Sequence, residues 1–231
     1  MAGSDVKWKV SPELRRRAQV FMALICFLAI PMYISRLACR IILFIGLTAA
    51  AIEWWYSAVR AVLANGRGLL QESMWLFPSF CAWLAPTAVF VVNWPEVVEH
   101  RRLMACIIIQ LAVGDTAQLL CGRSFGRTRI CGKLSPGKTL EGYVGGLIVT
   151  IAYGVVFHSW PVDDIVLCFI AGCIGDLFFS SVKRRLGIKD FSAVLSAHGG
   201  ILDRLDSVIF ALNALFWRER FRSGASNAAI R

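Results

Sequence analysis

The stretch IAGCIGDLFFSSVKRRLGIKDFSAVLSAHGGILDRLDSVIFALN, residues 170–213, contains the pattern that decides the fold. It consists of an apolar run, a basic segment and a second apolar run, and each run has the length of a helix. The basic segment carries four cations against one acid: Lys183, Arg184, Arg185 and Lys189 against Asp190. Apolar helical runs joined by short basic loops are typical of a helical bundle in a membrane.

The composition of the whole chain agrees with this pattern. Of its 231 residues, 57% are apolar and only 17% are charged, and the mean hydropathy is +0.62. Because an average soluble domain is about 25% charged, the composition argues against a water-soluble globule and against disorder. The net charge of +10 favours anionic lipid headgroups or phosphorylated ligands as partners. No segment resembles a nucleic-acid-binding module, so we expect no nucleic acid among them.

Seven apolar runs are candidate membrane spans. They are residues 18–34, 37–59, 74–93, 103–121, 142–158, 164–182 and 201–217. The sequence therefore predicts an all-α, polytopic integral membrane helical bundle of about seven spanning helices, at about 20 residues each. We divide it into N-terminal transmembrane hairpins over 1–100 and a second transmembrane domain over 101–231, which carries two basic loops and the expected site.

The basic loops predict how the chain lies across the membrane. One loop spans residues 121–142 and the other follows the sixth run. Since Lys and Arg accumulate on the cytoplasmic side, we expect both loops and the N-terminus there, and the link HSWPVDD (158–164) on the opposite side. Three arginines after the last run do not fit this arrangement: Arg218, Arg220 and Arg222.

Four acids in or beside the apolar runs are the unusual feature of the sequence. They are Asp115, Asp176, Asp203 and Asp206. A carboxylate at the bilayer centre costs about 2.5–3.5 kcal/mol even on a lenient scale, so these side chains need partners or water. Asp203 and Asp206 share one face of a helix, as do Asp176, Ser180 and Lys183. Structural ion pairs are one interpretation, and the other is Mg²⁺-assisted phosphoryl chemistry, in which carboxylates bind a hard cation and Lys and Arg bind phosphates.

Other features of the sequence are less specific. Glycines in the basic loops let backbone N–H groups approach phosphate oxygens, but the loops contain no P-loop or Rossmann motif. His198 is either a capping or packing residue or a phosphate donor or general acid. We interpret Glu53, Trp54 and Trp55 as an interfacial aromatic belt, and the eight cysteines as buried thiols.

Two blocks of sequence form long, specific motifs. One is Ser180-x-x-Lys183-Arg184-x₄-Lys189-Asp190 followed by His198-Gly199-Gly200-x-x-Asp203-Arg204-x-Asp206. The other lies upstream and comprises Gly114-Asp115, Gly122-Arg123-x-Phe125-Gly126 and Leu134-Ser135-Pro136-Gly137-Lys138-Thr139-x-Glu141-Gly142. Over about residues 110–217 the chain resembles the phosphatidate cytidylyltransferase family, also called CDP-diacylglycerol synthases.

This resemblance implies a multi-pass membrane enzyme of phospholipid biosynthesis whose site faces the cytoplasm. It would convert CTP and phosphatidate into CDP-diacylglycerol and pyrophosphate with Mg²⁺, and a second metal ion is left open. The implied metal ligands are Asp176, Asp203 and Asp206, and the implied catalytic set adds Lys183, Arg204 and His198. The implied substrate-binding residues are Arg123, Lys138, Arg184, Lys189, Asp190, Ser180, Glu141 and Asp115. Its partners are then CTP, phosphatidate and the bilayer, whereas the sequence does not decide on a homodimer.

Two alternatives remain open at this point. A CTP-dependent polyprenol or lipid-alcohol kinase would use a similar Mg²⁺-nucleotide site, but it would transfer the terminal phosphoryl group and release CDP. A non-catalytic channel or scaffold would distribute its acids through the membrane depth, whereas the acids of this chain gather near the basic loops.

Overall fold

The computed structural model describes residues 35–65, 78–82, 101–130, 132, 134–135, 137–194 and 199–229. Its helices are α1 (Arg36–Asn65), α2 (78–82), α3 (Arg101–Phe125), α4 (Leu140–His158), α5 (Val162–Leu186) and α6 (Leu202–Ala229). In these ranges there is no β-strand, only an isolated antiparallel bridge between Arg129 and Thr139. The predicted all-α class is confirmed.

Three of the described helices are long and apolar enough to cross a membrane. These segments are Ala105–Phe125, Leu140–Phe157 and Val162–Leu186, and they overlap the predicted spans 103–121, 142–158 and 164–182. The predicted spans 37–59 and 201–217 are also helical, within α1 and α6, although neither helix belongs to the three. The predicted span 18–34 and most of 74–93 lie outside the described residues, so the number of seven spans stays a prediction.

Local capping fixes the helix ends that border the basic loops. Thr139 is extended and precedes α4, and its side chain accepts a hydrogen bond from the Gly142 N–H at 3.2 Å, which satisfies a free donor of the first turn. At the end of α5, Gly187 has φ 72° and its N–H donates to the carbonyls of Lys183 and Arg184. Glycine adopts this left-handed conformation without the steric cost of a Cβ, so the chain leaves the helix there.

α3 and α4 form a hairpin whose backbones approach closely through glycines. A Cβ at Gly145 would lie 2.5 Å from the Sγ of Cys121, and a Cβ at Gly142 would lie 2.8 Å from the Gln118 carbonyl oxygen. Neither distance is compatible with ordinary packing, so only glycine allows this approach at these two positions. The hairpin holds the polar residues of α3 beside the first basic loop.

α1 packs against α5 and α6 through a buried cluster. This cluster contains Trp54, Phe179, Val182, Leu202 and Ile209, among others. Trp54 is only 1% exposed and Glu53 only 8%, so their interpretation as an interfacial belt is wrong, and only Trp55, 60% exposed, lies at a surface. The sequence suggested a belt because two tryptophans follow the acid, but this face of α1 is covered by α5 and α6.

The division of the chain at residue 100 into two transmembrane parts stays a prediction.

The far end of the bundle is joined by ion pairs between α5 and α6. Arg218 pairs with both Asp163 and Asp164, at 2.6 Å from Nη1 to the Asp164 Oδ1. Arg222 Nη2 lies 3.0 Å from the Asp163 Oδ2. These two arginines did not fit the predicted charge bias. They are paired with the two acids in the first turn of α5.

Candidate active site

The two basic loops meet at one end of the bundle. Arg184, in the last turn of α5, donates a hydrogen bond from Nε to the Leu134 carbonyl oxygen at 3.3 Å. Lys138, also in the first loop, forms an ion pair with Asp176 of α5. The two loops, which are separate in sequence, thus come into contact through Arg184 and Leu134, and the Lys138–Asp176 ion pair joins the first loop to α5.

A small polar cavity lies beneath this ion pair. It has a volume of about 20 Å³, which is room for about one water-sized particle. Its polar lining comes from four elements: Asp115 and Gln118 of α3, Lys138 of the first loop, Asp176 of α5 and Ser207 of α6. Ser180, one turn after Asp176, donates to its Oδ1 at 3.5 Å. Two carboxylates from different helices therefore face one cavity beside a lysine.

Asp203 has a different set of partners from Asp176. Its Oδ1 accepts a hydrogen bond from Lys183 Nζ at 2.7 Å, and its Oδ2 accepts from the N–H groups of Phe191 and Gly200, both at 2.9 Å. The Asp203 side chain is 4% exposed. This carboxylate binds the first turn of α6 to the end of α5 and to the loop between them, so its three hydrogen bonds organise the loop.

Asp206 lies one turn further along α6 and is 8% exposed. Its Oδ1 accepts from the Ser207 N–H at 2.7 Å and from the Ser207 Oγ at 3.3 Å. The backbone there is tightly packed, because a Cβ at Gly175 would lie 2.5 Å from the Asp206 carbonyl oxygen. Asp206 is thus connected to the small cavity through Ser207.

Glu141 holds the backbone of the first basic loop. Its carboxylate accepts hydrogen bonds from the N–H groups of Arg127 and Thr128, at distances of 3.1–3.2 Å. The Leu140 N–H also donates to the Thr128 carbonyl at 2.9 Å. In this structure Glu141 is therefore a residue that shapes the loop.

Sequence reasoning missed Glu53, which reaches the second loop from α1. Its Oε1 accepts from Ser192 Oγ at 2.7 Å and from the Ile201 N–H at 3.1 Å, and its Oε2 accepts from the Leu202 N–H at 2.9 Å. The criterion that identified the four aspartates, an acid inside an apolar run, applies equally to Glu53. Because Trp54 and Trp55 follow it, Glu53 was interpreted as part of an interfacial belt instead.

Comparison with known proteins gives the family. The model of the cytidylyltransferase family matches residues 9–218, which is most of the chain and includes every element described above as far as α6. The chain belongs to the cytidylyltransferase family. The resemblance inferred from the two motif blocks is thereby confirmed.

Individual relatives of this cytidylyltransferase family member agree with that assignment. A phosphatidate cytidylyltransferase of Staphylococcus saprophyticus is 31% identical over 215 residues, which are 84% of this chain and 81% of the relative. The phosphatidate cytidylyltransferase of Aquifex aeolicus is 35% identical over 130 residues, 53% of this chain and 48% of the relative. An uncharacterized protein of Escherichia coli K12 is 35% identical over 133 residues, 54% and 45% of the two chains. The chain spans about half the length of these last two relatives.

The structure brings some of the predicted site residues together and separates others. Asp115, Lys138 and Asp176 gather at the small cavity, and Ser180 donates a hydrogen bond to Asp176. Lys183 and Asp203 form a separate pair. The predicted substrate-binding cations Arg123, Arg184 and Lys189 are exposed, and so is Arg204 of the predicted catalytic set. Asp190 is exposed as well and lies beside Gly199. His198 lies outside the described residues.

Two carboxylates of the site offer donors that fit a magnesium ion, and the implied ligand set of Asp176, Asp203 and Asp206 stays a prediction. Within the described ranges, no group of three or more His, Cys, Asp or Glu side chains is arranged to hold a metal ion, and Asp203 is occupied by Lys183 and two amides. Asp115 and Asp176 nevertheless face one cavity. Since Mg²⁺ is commonly bound by one or two carboxylates together with substrate phosphates, this pair offers the donor set it requires.

Proposed function

We propose that this chain transfers the cytidylyl group of CTP to phosphatidate, giving CDP-diacylglycerol and pyrophosphate. The observation that carries the proposal is the Lys138–Asp176 ion pair, which joins the first basic loop to α5 above a cavity that Asp115 also lines. Family membership and the names of the relatives support the choice of substrates. We place the end of the bundle that carries the basic loops on the cytoplasmic side, because Lys and Arg accumulate on that side of membrane proteins.

The reaction requires charge compensation more than it requires a base. The phosphate of phosphatidate is already an anion, so its oxygen can attack the α-phosphorus of CTP without a strong proton acceptor. The bond between the α-phosphorus and the oxygen that bridges to the β-phosphorus then breaks, and pyrophosphate leaves with that electron pair. The barrier comes from bringing an anionic nucleophile to a triphosphate, and fixed cations lower it.

The chain supplies those cations from both loops. Lys138 lies at the cavity and Arg184 lies at the junction of the loops, and both are in reach of phosphates that bind over the cavity. Asp115 and Asp176 would hold Mg²⁺, which supplies Lewis-acid stabilisation of charge on the phosphate oxygens. Before substrate binds, the ion pair with Asp176 holds the Lys138 ammonium at the site. When substrate binds, Lys138 exchanges Asp176 for a phosphate oxygen.

The proposal is tested by product analysis with the purified full-length chain in mixed micelles. Phosphatidate, CTP and Mg²⁺ should give CDP-diacylglycerol and pyrophosphate, and adding pyrophosphate to CDP-diacylglycerol should regenerate CTP. A lipid kinase releases CDP and cannot run this reverse reaction. Phosphatidate left unchanged by the wild-type chain, or CDP as the nucleotide product, would contradict the proposal. The Asp176→Asn variant serves as the inactive control.

A further inference from the structure

Glu53 of α1 connects the two ends of the loop between α5 and α6. One carboxylate accepts from Ser192, near the beginning of the loop, and from the N–H groups of Ile201 and Leu202, at its end. It is 8% exposed, and Leu202 is completely buried. Water therefore cannot easily replace the carboxylate as the hydrogen-bond acceptor of the Leu202 N–H.

The position of Glu53 is favourable for electrostatic reasons. The first N–H groups of a helix lack partners within the helix, and the N-terminus carries partial positive charge, so a carboxylate stabilises it. Such a cap usually comes from the adjacent residues in sequence. Here it comes from a residue 149 positions before Leu202, so the beginning of α6 is fixed relative to α1.

The contacts of Glu53 alternate with those of Asp203. The Gly200 N–H donates to Asp203, and the next N–H, that of Ile201, donates to Glu53. On the other side of the loop, the Phe191 N–H donates to Asp203, while the Phe191 carbonyl accepts from the Ser57 hydroxyl at 2.6 Å. Any displacement of the loop away from α1 would therefore also displace the donors that orient Asp203 and, through it, Lys183.

Both packing and hydrogen bonds hold the loop against α1. Phe191 of the loop lies in the buried cluster that contains Ala58 and Ala61 of α1. A cavity of about 550 Å³ lies between other parts of the loop and α1, and its lining includes Tyr56, Arg60, Lys189 and Asp190. The hydrogen bonds of Glu53 and Ser57 attach the polar side of the loop to α1.

We propose that Glu53 is a positioning residue for cytidylyl transfer, acting through the loop and Asp203 to set the position of Lys183 beside the reaction centre. The inference rests on the proposed function for its kinetic readout. It assigns a role in the reaction to α1, which lies outside both sequence motifs. The Glu53 carboxylate is bound by donors of the loop and of α6, so its removal should reduce turnover more than it weakens substrate binding.

The test compares Glu53→Gln with the wild-type chain. The variant keeps the size of the side chain but removes the charge and turns an amide NH₂ toward backbone N–H donors. We expect kcat to fall about 10- to 100-fold, the range that a displacement of about 1 Å can cause, while KM for CTP and for phosphatidate changes less than about threefold. Amide hydrogen exchange should rise in segment 189–202 but not in the α3–α4 hairpin. Glu53→Asp, which restores the charge with a shorter reach, should recover part of kcat.

Two control variants separate positioning from general stability. Thr48→Ala on α1 removes a hydroxyl that donates only to its own helix, to the Phe44 carbonyl at 2.7 Å, and should leave kcat unchanged. Asp164→Asn breaks an ion pair at the far end of the bundle and should lower the unfolding temperature without lowering kcat. If Glu53→Gln does not fold, Ser192→Ala replaces it: this variant removes one donor to Glu53 and should lower kcat in the same direction with an unchanged unfolding temperature.

The proposal is overturned if the substituted chain, Glu53→Gln or its replacement Ser192→Ala, keeps kcat within twofold of wild type. It is also overturned if Asp164→Asn and Glu53→Gln lower the unfolding temperature equally and also lower kcat equally. Failure of the proposed function would be recognised separately, because the wild-type chain would then lack transfer activity. In that case hydrogen exchange alone decides whether Glu53 holds the loop.

Discussion

Individual carboxylates of the site have different partners, so the same Asp→Asn change has different consequences at each. Asp203 is 4% exposed and binds Lys183, itself 13% exposed, and it also accepts from two backbone amides. Asp176 and Lys138 are 22% and 19% exposed and lie at a cavity. The first carboxylate organises the loop, whereas the second lies at the cavity, paired with Lys138.

At the residue scale we predict that Asp203→Asn loses both stability and turnover, because it leaves the buried Lys183 ammonium unpaired. The cost should be about 3 kcal/mol in the free energy of unfolding. Asp176→Asn should abolish turnover and change stability by at most about 1 kcal/mol. Tryptophan fluorescence during thermal unfolding, together with the transfer assay, distinguishes the two. Equal stability losses in both variants would contradict the assignment.

The sequence allowed some of these residues to be predicted and not others. Asp115 and Asp176 were recognised because a charge inside an apolar run needs a partner, and the structure places both at one cavity. The role of Asp203 was not predictable, since two of its three hydrogen bonds come from loop backbone whose path no sequence pattern specifies. Glu53 met the same criterion as the aspartates but was misread from its tryptophan neighbours.

At the scale of elements, the apolar runs located the spanning helices but not all of their ends. α3 continues to Phe125 and α6 to Ala229, beyond the predicted limits of 121 and 217. Both extensions contain charged residues, which end an apolar run but are compatible with a helix. The close glycine contacts between α3 and α4 were also not predicted, because they depend on which faces meet.

We predict that the α3–α4 hairpin depends on the space beside Gly145. The change Gly145→Ala places a Cβ 2.5 Å from the Cys121 Sγ and should destabilise the fold by about 1–3 kcal/mol. Combining it with Cys121→Gly removes the clashing side chain, so the double variant should be more stable than the sum of the single effects predicts. Additive losses, measured as shifts of the unfolding temperature, would refute the contact.

At the scale of the whole molecule, the basic loops gather at one end and the Asp163–Asp164 link lies at the other with Arg218. The charge bias and the number of spans between the loops predicted that they share a side. Their direct contact through Arg184 and the Leu134 carbonyl was not predictable, because it depends on how α3, α4 and α5 pack. The N-terminal transmembrane hairpins expected over residues 1–100 remain a prediction.

This arrangement predicts the labelling pattern of single cysteines in a chain whose eight native cysteines are replaced. Gly132→Cys and Ala193→Cys lie at exposed positions of the two basic loops, and Val162→Cys lies at the exposed start of α5. A membrane-impermeant maleimide should label the first two from one side and the third from the other. Labelling of the two loop positions from opposite sides would exclude the bundle described here.

The central claim is that the site breaks the bond between the α- and β-phosphates of CTP. The most direct test is CTP labelled at either the α- or the γ-phosphorus, incubated with phosphatidate, Mg²⁺ and the purified chain, followed by separation of lipid from pyrophosphate. We expect the α label to enter the lipid and the γ label to appear in pyrophosphate. Recovery of the γ label in lipid would contradict the central claim and would identify a kinase.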